Sequence, residues 1–204
     1  MEEKMAIEKI RNAVEIATKK IILLDDEYNI NENLGGIIQH EHHLNAMIYH
    51  EMISSGYFSF NDIIMESRYV GTKERVDFEI DHIFNSNNDY EVFFIEVKQI
   101  LYDYENETEE IPVVIDSVFS DVKKLQNDIH SDGRFPMVAV MIIVNLTRYP
   151  VNYPDYKPMN KIISHLKKLL SDGEYSDNFT FIISDIARAI TITAGEIRDI
   201  KHEI

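Results

Sequence analysis

The sequence predicts an α/β fold, a central mixed β-sheet flanked by helices. Three observations carry that expectation. Apolar residues recur at helical spacing through the N-terminal quarter of the chain, and between residues 62 and 98 the period changes to two. A nearly continuous apolar run over 136–146 then has the β-branched character of a strand covered on both faces. The resulting order, α-α-β-β-β-α-β-α-β, places a sheet between helices.

The elements follow in turn. Ile7, Ile10, Val14, Ala17, Ile21 and Leu24 form the stripe of a first helix over 5–24. Residues 29–36 hold three asparagines and a glycine pair and read as a loop. Ile38, Leu44, Met47, Ile48 and Met52 mark a second helix over 37–54, which Gly56 ends. Residues 62–70 suit a strand and 71–74 a turn. Val76, Phe78 and Ile80 alternate with Asp77, Glu79 and Asp81 in a half-buried strand. A turn at 86–89 leads to Phe93, Ile95 and Val97, alternating with Phe94, Glu96 and Lys98. The three strands should be antiparallel neighbours. An acidic loop fills 102–110, and Val114, Val118, Val122, Leu125 and Ile129 give a helix over 113–129. The strand at 136–146 precedes an irregular Tyr- and Pro-containing segment, 148–158. A helix over 160–170 and a strand over 179–184 come next, and 188–204 is read as either a small hairpin turning at Ala194-Gly195 or a frayed helix, the hairpin being preferred.

Composition bounds the chemistry. The 204 residues are 45% hydrophobic and 27% charged, an ordinary globular mix for one domain. We divide it into an N-terminal helix and loop (1–36), a core (37–146) and a C-terminal extension (147–204). Cysteine is absent, which excludes disulfides, thiolate metal sites and cysteine nucleophiles. No apolar run approaches the ~20 residues that span a bilayer. The start, Met-Glu-Glu-Lys, lacks an apolar signal core, so the expected setting is cytoplasmic, without membrane association. The net charge of −16 repels nucleic acid on average. Any nucleic-acid function must therefore use a local groove, a bridging metal, or affinity supplied by a homodimer or partner protein.

The hairpin concentrates ionisable groups. Directly opposed residues of an antiparallel pair have a constant index sum. A turn centred on Asn87-Asn88 sets it at 175, opposing Asp77 to Lys98 and Glu79 to Glu96. A slip of two residues opposes Asp77 to Glu96 instead. In either register Asp77, Glu79, Glu96 and Lys98 share one face, with opposed Cβ atoms roughly 4.5–5.5 Å apart. Opposed carboxylates repel, and a divalent cation offsets that cost. Mg²⁺ takes one or two carboxylates and keeps several waters, and a neighbouring lysine can orient such a water or stabilise an attacked phosphate.

Arg75-Val76-Asp77, a turn, and then Phe94-Ile95-Glu96-Val97-Lys98 resemble the bipartite signature of the PD-(D/E)XK nuclease superfamily. Val76 stands where the signature has proline. Glu41 near the start of the preceding helix, Glu66 on the first strand, and the helix and buried strand that follow match the surroundings of that signature over 37–146. The resemblance implies a restriction-endonuclease-like fold and Mg²⁺- or Mn²⁺-dependent hydrolysis of phosphodiester bonds, most readily in DNA, for restriction, repair or defence. It implies Asp77 and Glu96 as metal ligands, Lys98 beside the attacking water, and Glu41 as a helix-borne accessory.

Each residue also has a plainer reading. Glu66 and Glu79 can be metal accessories or surface groups. Gln99 can contact substrate or simply end its strand, and Gln126 can reach the site or sit in solvent. His40, His42, His43 and His50 lack the His-Glu-x-x-His spacing of a zinc-protease helix, because position 44 is leucine. They read as a solvated face, as does His82. Tyr149, Tyr153 and Tyr156 can stack on bases or pack against a second copy. The alternative for the whole chain is a catalytically inactive nuclease-like fold, acting as an acidic protein-binding or DNA-mimic module. The acidic loop motivates it. A third reading is a hydrolase of a small phosphorylated molecule.

Overall fold

The computed structural model describes residues 1–28, 41–68, 75–84, 87, 90–100, 116–125, 137–146, 158–171 and 179–200. The expected loop at 29–36, the turn at 71–74, the acidic loop and the tyrosine segment lie outside them. Helices α1 (Glu3–Tyr28) and α2 (Glu41–Ser54) precede strands β1 (Ile63–Arg68), β2 (Arg75–Phe84) and β3 (Tyr90–Ile100). A helix over 116–125 (α3) leads to β4 (Met137–Asn145), α4 (Pro158–Ser171), β5 (Thr180–Ser184), β6 (Ala189–Thr193) and α5 (Ala194–Asp199). Among the described residues no helix is long and apolar enough to cross a membrane.

Among the described residues the strands form one six-stranded sheet in chain order, β1 to β6. Pairing is antiparallel from β1 to β3, parallel from β3 through β5, and antiparallel again to β6. The mixed α/β sheet and its antiparallel opening therefore follow the expected order. The segment after Leu146 contributes β5 and β6 to the same sheet.

Each face of the sheet carries a core. On one, Ile10, Val14 and Ile21 of α1 and Leu44, Ile48 and Met52 of α2 cover Phe78, Phe93, Ile95, Ile142 and Ile182. On the other, Val118, Val122 and Leu125 of α3 and Ile162 and Leu166 of α4 cover Phe94, Met141, Ile143 and Phe181. The central strand β4 supplies Val140, Ile142 and Val144 to the first core and Ala139, Met141 and Ile143 to the second. That double burial is why its sequence is almost uninterruptedly apolar.

α2 ends as Gly56 predicts. Gly56 has φ +67°, its N–H donates to Ile53 O (2.9 Å), and Tyr57 N–H donates to Met52 O (3.2 Å). This is a Schellman closure, in which a left-handed residue satisfies the last carbonyls.

Two expectations are corrected. The chain does not turn as a hairpin at Ala194-Gly195; β6 ends at Thr193 and α5 begins there. The β5–β6 pairing closes earlier, where Asp185 N–H bonds Arg188 O and the Asp185 carboxylate accepts from Ala187 and Arg188 N–H. Thr193 and Glu196 form a reciprocal capping box that starts the helix. The hairpin register also differs from the centred turn. Phe78 pairs with Ile95 and Ile80 with Phe93, an index sum of 173, after a shift between Ile80 and Ile83. This is the slipped alternative: the sum is already 174 where Phe84 pairs with Tyr90, and an irregularity that adds a residue to β2 takes it to 173.

Candidate active site

The site is built where β2 and β3 stop pairing. The last backbone pair before the fork is Phe78 with Ile95. One residue further, Asp77 turns its carboxylate to the neighbouring strand, and Oδ2 accepts from Val97 N–H at 2.8 Å. The side chain thus takes over a bond that a strand carbonyl would have made. Oδ1 accepts from Asn45 Nδ2 at 2.8 Å, which ties the fork to α2.

β2 changes face at this point. Phe78 and Ile80 belong to the core under α1 and α2, whereas Val76 is buried in the opposite core. The expectation that Val76 shares a face with Phe78 is therefore corrected. Opposite Asp77 in the β1–β2 register lies Glu66, whose φ of 52° is left-handed in a non-glycine residue. Regular alternation is broken in both strands at the same level, so the ribbon can rotate where the fork opens.

On β3, Phe93, Ile95 and Val97 face α1 and α2, and Val92, Phe94 and Ile100 face α3 and α4. Glu96 and Lys98 fall on the second parity, between Phe94 and Ile100. They do not lie on a solvated hairpin face. Glu96 is 6% exposed, and Lys98 Nζ reaches Asp121 Oδ2 of α3 at 2.8 Å. Asp121 also takes Lys124 Nζ on Oδ1 at 3.0 Å, so one buried carboxylate is shared by two ammonium groups.

Asp77 thus sits against the backbone of Val97, between the residues that bear Glu96 and Lys98. The structure does not gather the whole expected set. Glu79 lies two residues along β2 and accepts from the Ser67 hydroxyl of β1. Glu66 is exposed and paired with Arg75. Gln99 is half-buried on β3, opposite Val144. Glu41 opens α2, one helical turn before Asn45; its side chain lies outside the described residues, as does Gln126. His42, His43 and His50 are exposed, which fits a solvated helix face. The described portion of His82 does not extend to its side chain.

Sequence reasoning missed Asn45 and the bridging role of Asp121. Asn45 follows Glu41 by four positions, so both fall on one side of the helix. Asp121 and Lys124 have the (i, i+3) spacing of a helical ion pair. Neither spacing reveals which strand residue it serves.

No group of three or more acidic or histidine side chains able to hold a metal occurs among the described residues. Mg²⁺ binds through one or two carboxylates and retains waters, and Asp77 and Glu96 are two. A third oxygen, Asn45 Oδ1, is buried beside Asp77 with no hydrogen-bond partner among the described residues. Compared with protein-family models, curated proteins and solved structures, the chain matches none of them.

Proposed function

We propose that this protein is a Mg²⁺- or Mn²⁺-dependent nuclease, with a restriction-endonuclease-like version of the mixed sheet, hydrolysing phosphodiester bonds in nucleic acid, DNA foremost, in the cytoplasm. The observation that carries the reading is the Asp77 carboxylate held on Val97 N–H at 2.8 Å, between Glu96 and Lys98. Glu96 and Lys98 flank Val97 in sequence, so in this reading two carboxylates and an ammonium would act from one short stretch of backbone. Asp77 and Glu96 would hold the cation, with Glu41 as an accessory from α2. The bound cation would lower the pKa of a water and polarise the phosphate.

The chain's own groups complete the chemistry. Lys98 would donate to the attacking water or to a non-bridging phosphate oxygen, stabilising charge as the water oxygen bonds phosphorus and the P–O bond to the leaving group breaks. Asp121, shared with Lys124, fixes the reach of the Lys98 ammonium. Glu66, Glu79, Gln99 and Gln126 would act only as accessories.

Incubation of the purified chain with Mg²⁺ or Mn²⁺ and DNA or RNA substrates tests the reading. Cleavage should require the metal and vanish in Asp77→Asn and Lys98→Ala. Cleavage that survives both substitutions overturns the assignment.

A second reading is favoured by one specific observation, the ion pair that engages Lys98 with Asp121. Together with the charge of −16, it suits an inactive acidic module that binds a basic protein or mimics DNA. That reading expects no Mn²⁺ heat in calorimetry and tight binding to a basic partner.

A further inference from the structure

Asn45 is out of place by composition. Its neighbours on α2, Leu44, Ile48 and Met52, are fully buried in an apolar core, and Asn45 itself is 6% exposed. A buried amide costs free energy unless both its ends are bonded. One end is, through Nδ2 to Asp77 Oδ1 at 2.8 Å. The other end, Oδ1, is buried with no hydrogen-bond partner among the described residues. Rotating the amide would not relieve this, because it would turn an oxygen toward a carboxylate already accepting from Val97 N–H. The orientation is thus fixed by Asp77. The unsatisfied oxygen is fixed with it, beside the carboxylate that the nuclease reading makes a metal ligand.

We propose that Asn45 is a positioning residue of the metal site. Its Nδ2 sets the rotation of the Asp77 carboxylate, and its Oδ1 accepts a hydrogen bond from a water carried by a hydrated divalent cation at Asp77. The inference rests on the metal reading above. It accounts for an amide where leucine would pack at lower cost, and it uses the preference of Mg²⁺ for keeping its waters. Groups that orient metal ligands in this way typically govern affinity by about 10–100-fold.

Calorimetry with Mn²⁺ on the full chain, with melting curves in Mn²⁺ and in chelator, tests it. Wild type should bind, and Asp77→Asn should abolish the signal. Asn45→Leu keeps the number of side-chain heavy atoms and removes both polar ends, and should bind about 10-fold more weakly or worse. Asn45→Asp sets a second carboxylate against Asp77. It should melt lower than wild type in chelator and gain more from Mn²⁺ than wild type does, a rescue that a purely structural amide would not show. A folded Asn45→Leu variant with unchanged affinity overturns the inference and leaves the metal reading intact. If that variant does not fold, Asn45→Asp decides, and a Mn²⁺ gain no larger than that of wild type overturns the inference. A wild-type chain without an Asp77-dependent Mn²⁺ signal overturns both.

Discussion

Asp77 does two jobs whose separation gives the sharpest test at the scale of a single residue. It closes the β2–β3 fork by accepting from Val97 N–H, and it offers negative charge. Asp77→Ala leaves a buried strand N–H and the Asn45 amide without their acceptor. The loss should be about 1–3 kcal/mol, read as a fall in the urea midpoint. Asp77→Asn keeps an acceptor for Val97 N–H, and its new NH₂ can be met by Asn45 if that amide rotates to present its oxygen. Its stability should stay within ~1 kcal/mol of wild type while metal-dependent cleavage is lost. Equal destabilisation by the two variants would show that charge, not hydrogen bonding, holds the fork. Asp121→Ala releases Lys98 and Lys124 together, and should lower cleavage more than Lys124→Ala does.

Between elements, polar anchors tie the helices to the sheet. Lys20 of α1 donates to Glu51 of α2 at 2.7 Å, and the Glu51 side chain is only 4% exposed. Lys20→Met leaves that carboxylate buried without its cation and should cost about 1–3 kcal/mol. The double replacement Lys20→Met/Glu51→Met should recover most of the loss, because it leaves no buried carboxylate without its partner. Glu15 of α1 holds β6 through Ala189 N–H at 3.0 Å. Its pKa lies below the ordinary glutamate value, first because Lys19 hydrogen-bonds the carboxylate and then because Ala189 N–H does; desolvation opposes both. A depressed pKa contributes stability that is fully present above the unfolded value, about 4.3, and is lost as pH falls through the lower folded value. Glu15→Gln should therefore flatten the acid side of the stability profile, seen as a smaller drop in urea midpoint between neutral and acidic buffer. The capping box of α5 acts likewise on Glu196, whose pKa is lowered by Thr193 N–H and then by the Thr193 hydroxyl. Thr193→Ala should cost about 1 kcal/mol.

Over the whole molecule, the net charge of −16 dominates any encounter with a polyanion. At about 10 mM salt the Debye length is ~30 Å, and repulsion extends across the molecule; at 150 mM it shrinks to ~8 Å. For the proposed nuclease, kcat/KM on DNA should hold steady or rise over that salt range. Proteins that bind DNA through many basic contacts show the reverse. A steep fall with salt would reveal a basic groove strong enough to override the net charge. The fold brings Lys98 and Lys124 together on Asp121, on the α3 side of the sheet.

The sequence by itself determined most of the elements and their order. Period-two alternation in 76–80 and 93–97, helical spacing in 7–21, and the apolar run of β4 each report a local burial pattern, and local patterns need no partner to be read. It also brought Asp77, Glu96 and Lys98 to one hairpin. Thr193 and Glu196 have capping-box spacing, a local signal for the α5 start that the hairpin expectation at Ala194-Gly195 passed over. Tertiary structure alone decided the rest. The register sum is 173 rather than 175 because it is already 174 beside the turn and a strand irregularity lowers it by one more, neither of which alternation can show. Val76 crossed to the other core, Asp77 took Val97 N–H, Asn45 arrived from α2, and Asp121 claimed Lys98 from α3. Each of these joins residues distant in the chain, and such contacts are fixed by how layers pack and twist rather than by any neighbour in sequence.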